Sequence, residues 1–587
     1  MSNFQKHNVL RFSIVFAILL CFAAGAFGGQ IRTACEESGL EKYCNHAEMM
    51  QFLHKIQSGS NEMLLSTYGK SNQGRELVYA VFSRPMVTNP WEAMTSGKPI
   101  VILDAGVHGG ERTLRESCLI LIRELATKGT EMNKLLDKLV VIMAPCLNPD
   151  GTEKAKRTNA NGIDINRDYI KLDEPETIHY VRDMLQRWHP HLQVGGHNGG
   201  PYPYNQCYLA TSNAAADPEL TLICDKEIFP LVDKNMEAGG YKSFYYGRGR
   251  EEGFTVGKFS PRIFRNYGGL SNYVSIVFET GGGQETEPDI KSGVIAYKSI
   301  LEYCATNPKK LMGVVEKARR KTIEMGQKAQ GQIAVQMKYV AEDYKVSYLA
   351  AERIRNNRSA RRADPNSLRA RWSGLSEEEK ASYRQEWRQR RSSQRADSNS
   401  IERSTATRRR TRRDPNNSRS NRRRRYGAIR EINDANIIKK PIATKSRPRP
   451  YAYVLEAKAQ KVVDLLKRHN ITVEVLQKDI SLDIEAYVLK GIEHKKQHNH
   501  PKSTVVAVEE KTVRKTKDFP KGTYIVRTGQ VMGRIITHML EPETDDNVIV
   551  WNTMDDLLPE PGPNSLVPIY RITSPIKLPT MLSEECS

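Results

Sequence analysis

Short apolar runs alternate with helix-spaced segments over the first half of the chain. Residues 77–83, 100–105, 139–147, 191–195 and 274–278 read as strands, apolar and bounded by glycine, asparagine or proline. Residues 49–63, 114–125 and 174–188 carry apolar positions at helical spacing, and two further helices, 290–303 and 311–329, close the unit. This order predicts an α/β fold with a mostly parallel or mixed sheet covered on both faces. Between the fourth and fifth of these strands, residues 260–273 contain Gly268 and Gly269 and read as a mobile loop. From about residue 448 a second pattern begins. Strands at 451–455 and near Val473, Val505, Tyr524 and Val548, with helices at 457–467 and 530–540, predict a smaller α+β domain.

The strands of the first unit stop abruptly at polar residues set among glycines. The run at 100–105 ends in Val107-His108-Gly109-Gly110-Glu111, so His108 and Glu111 fall where strand turns into helix. At the carboxyl end of a strand in an open α/β sheet, side chains point into the crevice where such folds bind ligands. An imidazole and a carboxylate placed there can share a metal ion. His197 repeats the setting, at the end of the strand running into Gly195-Gly196, and supplies a third ligand. Glu279, before Gly281-Gly282-Gly283, faces the same crevice and is a candidate general base. A polar loop at 156–169 gathers Arg157 and Arg167, whose planar guanidinium forks match a carboxylate such as a peptide's C-terminus, with the amide of Asn166. Asp164, between two isoleucines in that loop, can accept the second ring N–H of a ligating histidine.

Composition changes the picture in three places. The net charge of +21 is local: residues 353–430 hold 24 arginines and one lysine against eight acidic residues. That stretch is too poor in aliphatics to offset its ordering entropy, which predicts a disordered segment with one short helix at 376–390. Export, which the amino terminus predicts, makes an acidic surface polymer a better fit for these arginines than a specific nucleic acid. The amino terminus carries Lys6 and Arg11 ahead of an apolar stretch running to Gly29, with small residues at Ala24 and Ala26. It reads as a signal peptide directing export to the periplasm or the extracellular space, with an uncleaved anchor as the alternative. None of the nine cysteines forms a metal-type Cys-x-x-Cys pair; Cys35 and Cys44 are the best placed for a local bridge, and Cys118 and Cys146 read as buried thiols.

Taken in order, His108-x-x-Glu111, Asn148-Pro149-Asp150-Gly151, Arg157 with Asn159-x-x-Gly162-x-Asp164-x-Asn166-Arg167, then His197 and Glu279, resemble the zinc carboxypeptidases of the carboxypeptidase A type over residues 49–307. The resemblance implies a mixed, mostly parallel sheet of about eight strands sandwiched by helices, and one Zn²⁺ per chain. It implies His108, Glu111 and His197 as ligands with a fourth position open to water. It further implies Asp164 orienting His108, Asn166 and Arg167 gripping a C-terminal carboxylate, Arg157 polarising the scissile carbonyl, and Glu279 acting as base toward zinc-activated water. The family's tyrosine position falls on Phe264, with Tyr267 three residues on as the substitute hydroxyl, and Ser271 aligns with the floor of the specificity pocket.

The chain thus divides into a signal peptide (1–29), a catalytic domain (30–345), an arginine-rich disordered linker (346–447) and an α+β accessory domain (448–587). The expected function is an exported metallocarboxypeptidase acting on peptides or proteins with a free C-terminus. Two alternatives stand beside it: an amidase or peptidase of the same chemistry acting on cell-wall peptides, and an inactive surface-binding protein that works through its arginine-rich segment.

Overall fold

The structure, a computed structural model, describes residues 31–281, 286–353, 426–497 and 500–583. The expected signal peptide and the 376–390 helix lie outside these residues.

Among the described residues, ten strands precede residue 282: β1 (Leu64–Lys70), β2 (Glu76–Phe82), β3 (Ile100–Ala105), β4 (Val140–Ala144), β5 (Leu192–Gly200), β6 (Gln206–Ala210), β7 (Ser243–Tyr245), β8 (Gly247–Arg250), β9 (Gly253–Val256) and β10 (Val274–Gly281). Eight of them form one sheet in the order β1-β2-β4-β3-β5-β10-β6-β7. The central β4-β3-β5-β10 block is parallel, and antiparallel pairings join β2 to β4, β1 to β2 and β6 to β10. Every residue of β3 is buried because both faces of the sheet are covered. Val101 and Leu103 pack into the cluster that includes helices α1 (Thr113–Ala126) and α3 (Thr286–Thr306), while Ile100 and Ile102 pack into the opposite one. Each such side chain contributes about 1.5–3 kcal/mol on burial. Because β3, β5 and β10 run parallel, their carboxyl ends, and the residues that follow, open on one edge of the sheet.

The segment at 260–273 is a correction. It is not a mobile loop: residues Phe264–Leu270 form a buried helix, α2. Its glycines serve close packing, since a Cβ on Gly268 would lie 2.5 Å from the Ser275 side chain and one on Gly269 2.2 Å from Thr211.

The boundaries of the expected linker also change. Residues 332–353 and 426–448 form two long antiparallel strands, β11 (Gln332–Arg353) and β12 (Tyr426–Pro448), running from the pair Gln332 and Pro448 to the pair Arg353 and Tyr426. Strand β12 also pairs with β9, giving a four-stranded sheet in the order β11-β12-β9-β8. Residues 346–353 and 426–447 are therefore strand. Tyr348 and Ile437 are buried with Phe254, and Lys439 pairs with Asp225 (2.5 Å) and Glu342 (3.2 Å). These anchors give that part of the segment the apolar and ionic contacts its composition had concealed.

Beyond Pro448, a seven-stranded antiparallel sheet carries helices Gln460–Arg468 and α4 (Gly533–Leu540). The strand expected near Val548 is instead a run of buried turns, closed by the Asn547 Oδ1, which accepts from the Ile549 and Val550 N–H groups (2.9 Å each). This domain shares its apolar core with the first: Leu466, Ile535 and Met539 belong to the same cluster as Tyr267 and Leu270. Arg534 crosses the junction, donating to Asn272 (3.1 Å), Thr322 (2.9 Å), the Ala215 carbonyl (2.5 Å) and Asp217 (3.2 Å). Among the described residues no helix is long and apolar enough to cross a membrane.

Candidate active site

The turn after β3 is built to present His108. Gly106 takes φ of 72°, and the Asn148 and Leu147 N–H groups donate to the Gly106 and Ala105 carbonyls, so the Asn-Pro-Asp-Gly turn backs the histidine turn. Contact is close enough that a Cβ on Gly109 would meet Gly151 at 2.0 Å. Asp150 is a framework residue here, receiving Ser71 Oγ (3.0 Å), the Gln73 N–H (2.9 Å) and Arg75 (2.6 Å).

Three ligand atoms converge beyond this turn. The Glu111 Oε2 lies 2.9 Å from both His108 Nδ1 and His197 Nδ1, and the two nitrogens are 3.0 Å apart. Zinc–nitrogen bonds of ~2.0–2.1 Å at tetrahedral angles separate ligand atoms by about 3.3 Å, so the triad fits the ion with a few tenths of an ångström of opening. Asp164 Oδ1 holds His108 from behind, 3.0 Å from Nε2, leaving Nδ1 turned to the shared centre. Although burial opposes it, His108 and His197 hold the Glu111 carboxyl well below its usual range. A second group among the described residues, His538 with Asp545 and Asp546, has metal-like spacing. There the Arg262 guanidinium, its Nε 2.8 Å from Asp546, already supplies the cation.

The remaining expected residues gather round the triad. Arg157 is half-exposed and donates to Asp164 Oδ2 (3.0 Å) and Glu111 Oε1 (3.1 Å). Asn166 approaches His197 Nε2 (3.4 Å) with Nδ2 and accepts the Phe264 N–H (3.2 Å) with Oδ1. Arg167 donates to the Asn166 carbonyl (2.7 Å), and no ion pair among the described residues neutralises it. Glu279 comes from the end of β10, whose parallel register sets it beside His197 of β5. Burial, and then the charge of Glu111, push its carboxyl up to about 8. All these groups except Asp164 line one cleft of about 1360 Å³.

Tyr267 does not. It is fully buried, accepts from Gln186 (3.2 Å) and hydrogen-bonds His469 Nδ1 (2.9 Å) of the second domain. Phe264 does reach the cleft and stacks on the His197 ring, centroids 5.6 Å apart, but brings no hydroxyl. Ser271 is buried at the end of α2 and does not line the cleft. The hydroxyl facing Glu279 is that of Tyr246, between β7 and β8, whose backbone is tied to β6 through the Tyr208 carbonyl (2.8 Å). Glu279 and burial together raise the Tyr246 phenol above its ordinary range. Arg265, Arg248 and Lys258 also line the cleft, and the hairpin supplies Tyr348, Leu349, Ala350 and Ile432. Sequence reasoning missed all of these; only the alternation around Tyr348 offered a signal, and the neighbouring charge masked it.

Comparison with known proteins finds similarity over part of the chain. A family model described as zinc carboxypeptidase matches residues 49–221. That stretch is similar to the zinc carboxypeptidases. Within that family, the chain is 29% identical over 281 residues to "Probable carboxypeptidase 2" of Trichophyton verrucosum, covering 43% of this chain and 52% of that one. It is 26% identical over 192 residues to carboxypeptidase D of Homo sapiens, covering 30% of this chain and 14% of that one. The chain thus spans about half the length of the fungal relatives it matches. A metallo-carboxypeptidase structure from Burkholderia cenocepacia superposes with a TM-score of 0.37 at 20% identity, over 45% of this chain and 70% of the other.

Proposed function

We propose that this chain is a zinc-dependent metallocarboxypeptidase that hydrolyses the C-terminal peptide bond of peptides or proteins. One observation carries the reading: His108, Glu111 and His197 converge within hydrogen-bonding distance, and the buried carboxylate of Glu279 and the un-neutralised guanidinium of Arg167 open on the same cleft.

Zinc held by the triad would lower the pKa of a water to about 7 and polarise the scissile carbonyl. The chain's own residues supply the rest. Asp164 holds His108 in the tautomer that presents Nδ1. Arg167, with Asn166 beside it, binds the substrate's terminal carboxylate and so fixes which bond is cut. Arg157, oriented by Asp164 and Glu111, has donors left over for the developing oxyanion. Glu279 accepts a proton from the attacking water and returns it to the departing amine. The hydroxyl of Tyr246 orients that carboxylate.

The test is metal analysis of purified protein together with incubation of a mixed peptide library. One zinc per chain and release of single C-terminal residues are expected. Protein without stoichiometric zinc, or cleavage at internal bonds, would sink the reading. We further propose that residues 1–29 direct export, which amino-terminal sequencing of protein recovered outside the cell checks: the chain should begin close to residue 27. The arginine-rich stretch is proposed to hold the enzyme on an acidic surface polymer, so removing residues 354–425 should abolish salt-sensitive retention on an anionic matrix.

A further inference from the structure

The cleft contains more positive charge than the reaction uses. Arg157 is engaged by Asp164 and Glu111, and Arg167 is assigned to the terminal carboxylate. Arg265 is left. It rises from the first turn of α2, is 3% exposed, and lines the cleft. Its guanidinium donates only to neutral acceptors: Nη1 to Ser212 Oγ (3.0 Å) and Asn266 Oδ1 (2.9 Å), Nη2 to the Lys258 carbonyl (2.5 Å). No ion pair among the described residues reaches it. A buried guanidinium without a directly paired carboxylate is costly unless an anion arrives to share the site; burial lowers its proton affinity and Arg167 acts in the same direction, against Tyr339, Tyr246 and the more distant charge of Glu279.

Two further observations tie that anion to substrate. Gly257 lies against the guanidinium, a Cβ there falling 3.1 Å from Nη2, so no side chain covers it at that point. Ser271 is buried away from the cleft, so Arg265 rather than a neutral hydroxyl sets the polarity next to Arg167.

Resting on the carboxypeptidase reading above, we propose that the cleft selects substrates whose C-terminal residue is aspartate or glutamate, and that Arg265 receives the side-chain carboxylate while Arg167 receives the terminal one. The two carboxylates of one residue then match two guanidinium groups of one cleft. A glutamine at the same place offers a neutral oxygen and leaves the charge of Arg265 uncompensated.

The test uses the full-length, zinc-loaded protein and acylated dipeptides that differ only in the last residue: glutamate, glutamine, phenylalanine or lysine. A hydrogen bond to a charged partner predicts kcat/KM for the glutamate substrate about 10-fold to 100-fold above that for glutamine, with lysine slowest. The Arg265→Gln variant should bring the glutamate-to-glutamine ratio close to one, and Arg265→Lys should restore part of it. Equal rates for glutamate and glutamine in the unmutated protein, or a preference for phenylalanine or lysine, would overturn the proposal whether or not the variants fold. Calorimetric binding of the same peptides to Glu279→Gln protein separates the two readings. Tighter binding of the glutamate peptide without turnover in the unmutated protein would count against the carboxypeptidase reading and support the acidic pocket, while turnover without discrimination would do the reverse.

Discussion

On one wall of the cleft, Asp164 holds His108, Arg157 ties Asp164 to Glu111, Glu111 converges with His108 and His197, and Asn166 sits between His197 and the Phe264 N–H that opens α2. On the other wall, Tyr348, Leu349 and Ala350 reach the same space from a long hairpin. Next to the cleft that hairpin packs on Phe254 and Phe244 and the Leu349 N–H donates to Tyr204 (2.6 Å), while farther along it is tied down by pairing with β9 and by Lys439 with Asp225 and Glu342. The first wall consists of charged groups that position one another at the ends of parallel strands. The second is apolar where it faces the cleft. A network of the first kind fixes reacting atoms to within a few tenths of an ångström, and one lost member displaces the rest. A wall of the second kind shapes the space and excludes water, and it tolerates loss by degrees. Changes on the first wall should therefore act on kcat, and changes on the second on KM.

The largest expected effect is at Glu279. Glu279→Gln should lower kcat by about 10²–10⁴-fold while leaving KM and the zinc content near their starting values. Retained hydrolysis would show that proton transfer runs through another group and that the two walls are not divided in this way. Asp164→Asn comes next. The loss of a carboxylate behind a ligating histidine typically costs about 10–100-fold in metal affinity or activity, and raised zinc in the assay should recover part of the loss. Unchanged zinc affinity and activity would make Asp164 a framework residue only. On the hairpin, Tyr348→Ala removes a ring that packs 5.0 Å from Phe254. It should raise KM several-fold with kcat little changed, the pattern of lost uniform binding. A fall in kcat as large as that at Asp164 would break the distinction between the walls.

The same contrast decides what the sequence made legible. His108, Glu111, His197 and Glu279 stand out because each ends an apolar run beside glycines, and parallel strands bring their carboxyl ends together whatever lies between them. The hairpin was hidden because the strand positions of 346–353 and 426–447 overlap the ends of a stretch, 353–430, that holds 24 arginines, and charge counted over the whole window outweighs a two-residue alternation. Tyr267 was misplaced for a related reason. Gly268 and Gly269 look like the hinges of a loop, but their missing side chains make room for Ser275 and Thr211, which fixes α2 in the core. Its hydroxyl partner is His469, some 200 residues away in the other domain, beyond the reach of any local pattern. Tyr246 had no signal at all: it is one of two consecutive tyrosines, and only the β6–β7 pairing turns it toward Glu279.

The smallest expected effect on chemistry lies beneath the first wall, at Asp104. This residue sits on β3 four positions before His108, fully enclosed, and accepts Tyr180 Oη (2.6 Å) and Gln193 Nε2 (2.9 Å) at one oxygen. Burial pushes its carboxyl up to about 7 from an ordinary 3.8. Folded protein therefore holds a proton between about pH 4 and pH 7 that the unfolded chain has released. Within that window the stability contribution of Asp104 falls as pH rises, by an amount on the order of 4 kcal/mol across the whole interval. Asp104→Asn cannot ionise, yet keeps an oxygen for both donors. The difference in Tm between variant and unmutated protein should accordingly shift in favour of the variant between pH 5 and pH 8, with kcat/KM nearly unaltered at either pH. A difference in Tm that does not change with pH would mean that Asp104 keeps one protonation state throughout. A change in kcat would mean that the strand beneath His108 yields more than its packing implies, and the rigidity ascribed to the first wall would then have to come from its hydrogen-bond network alone.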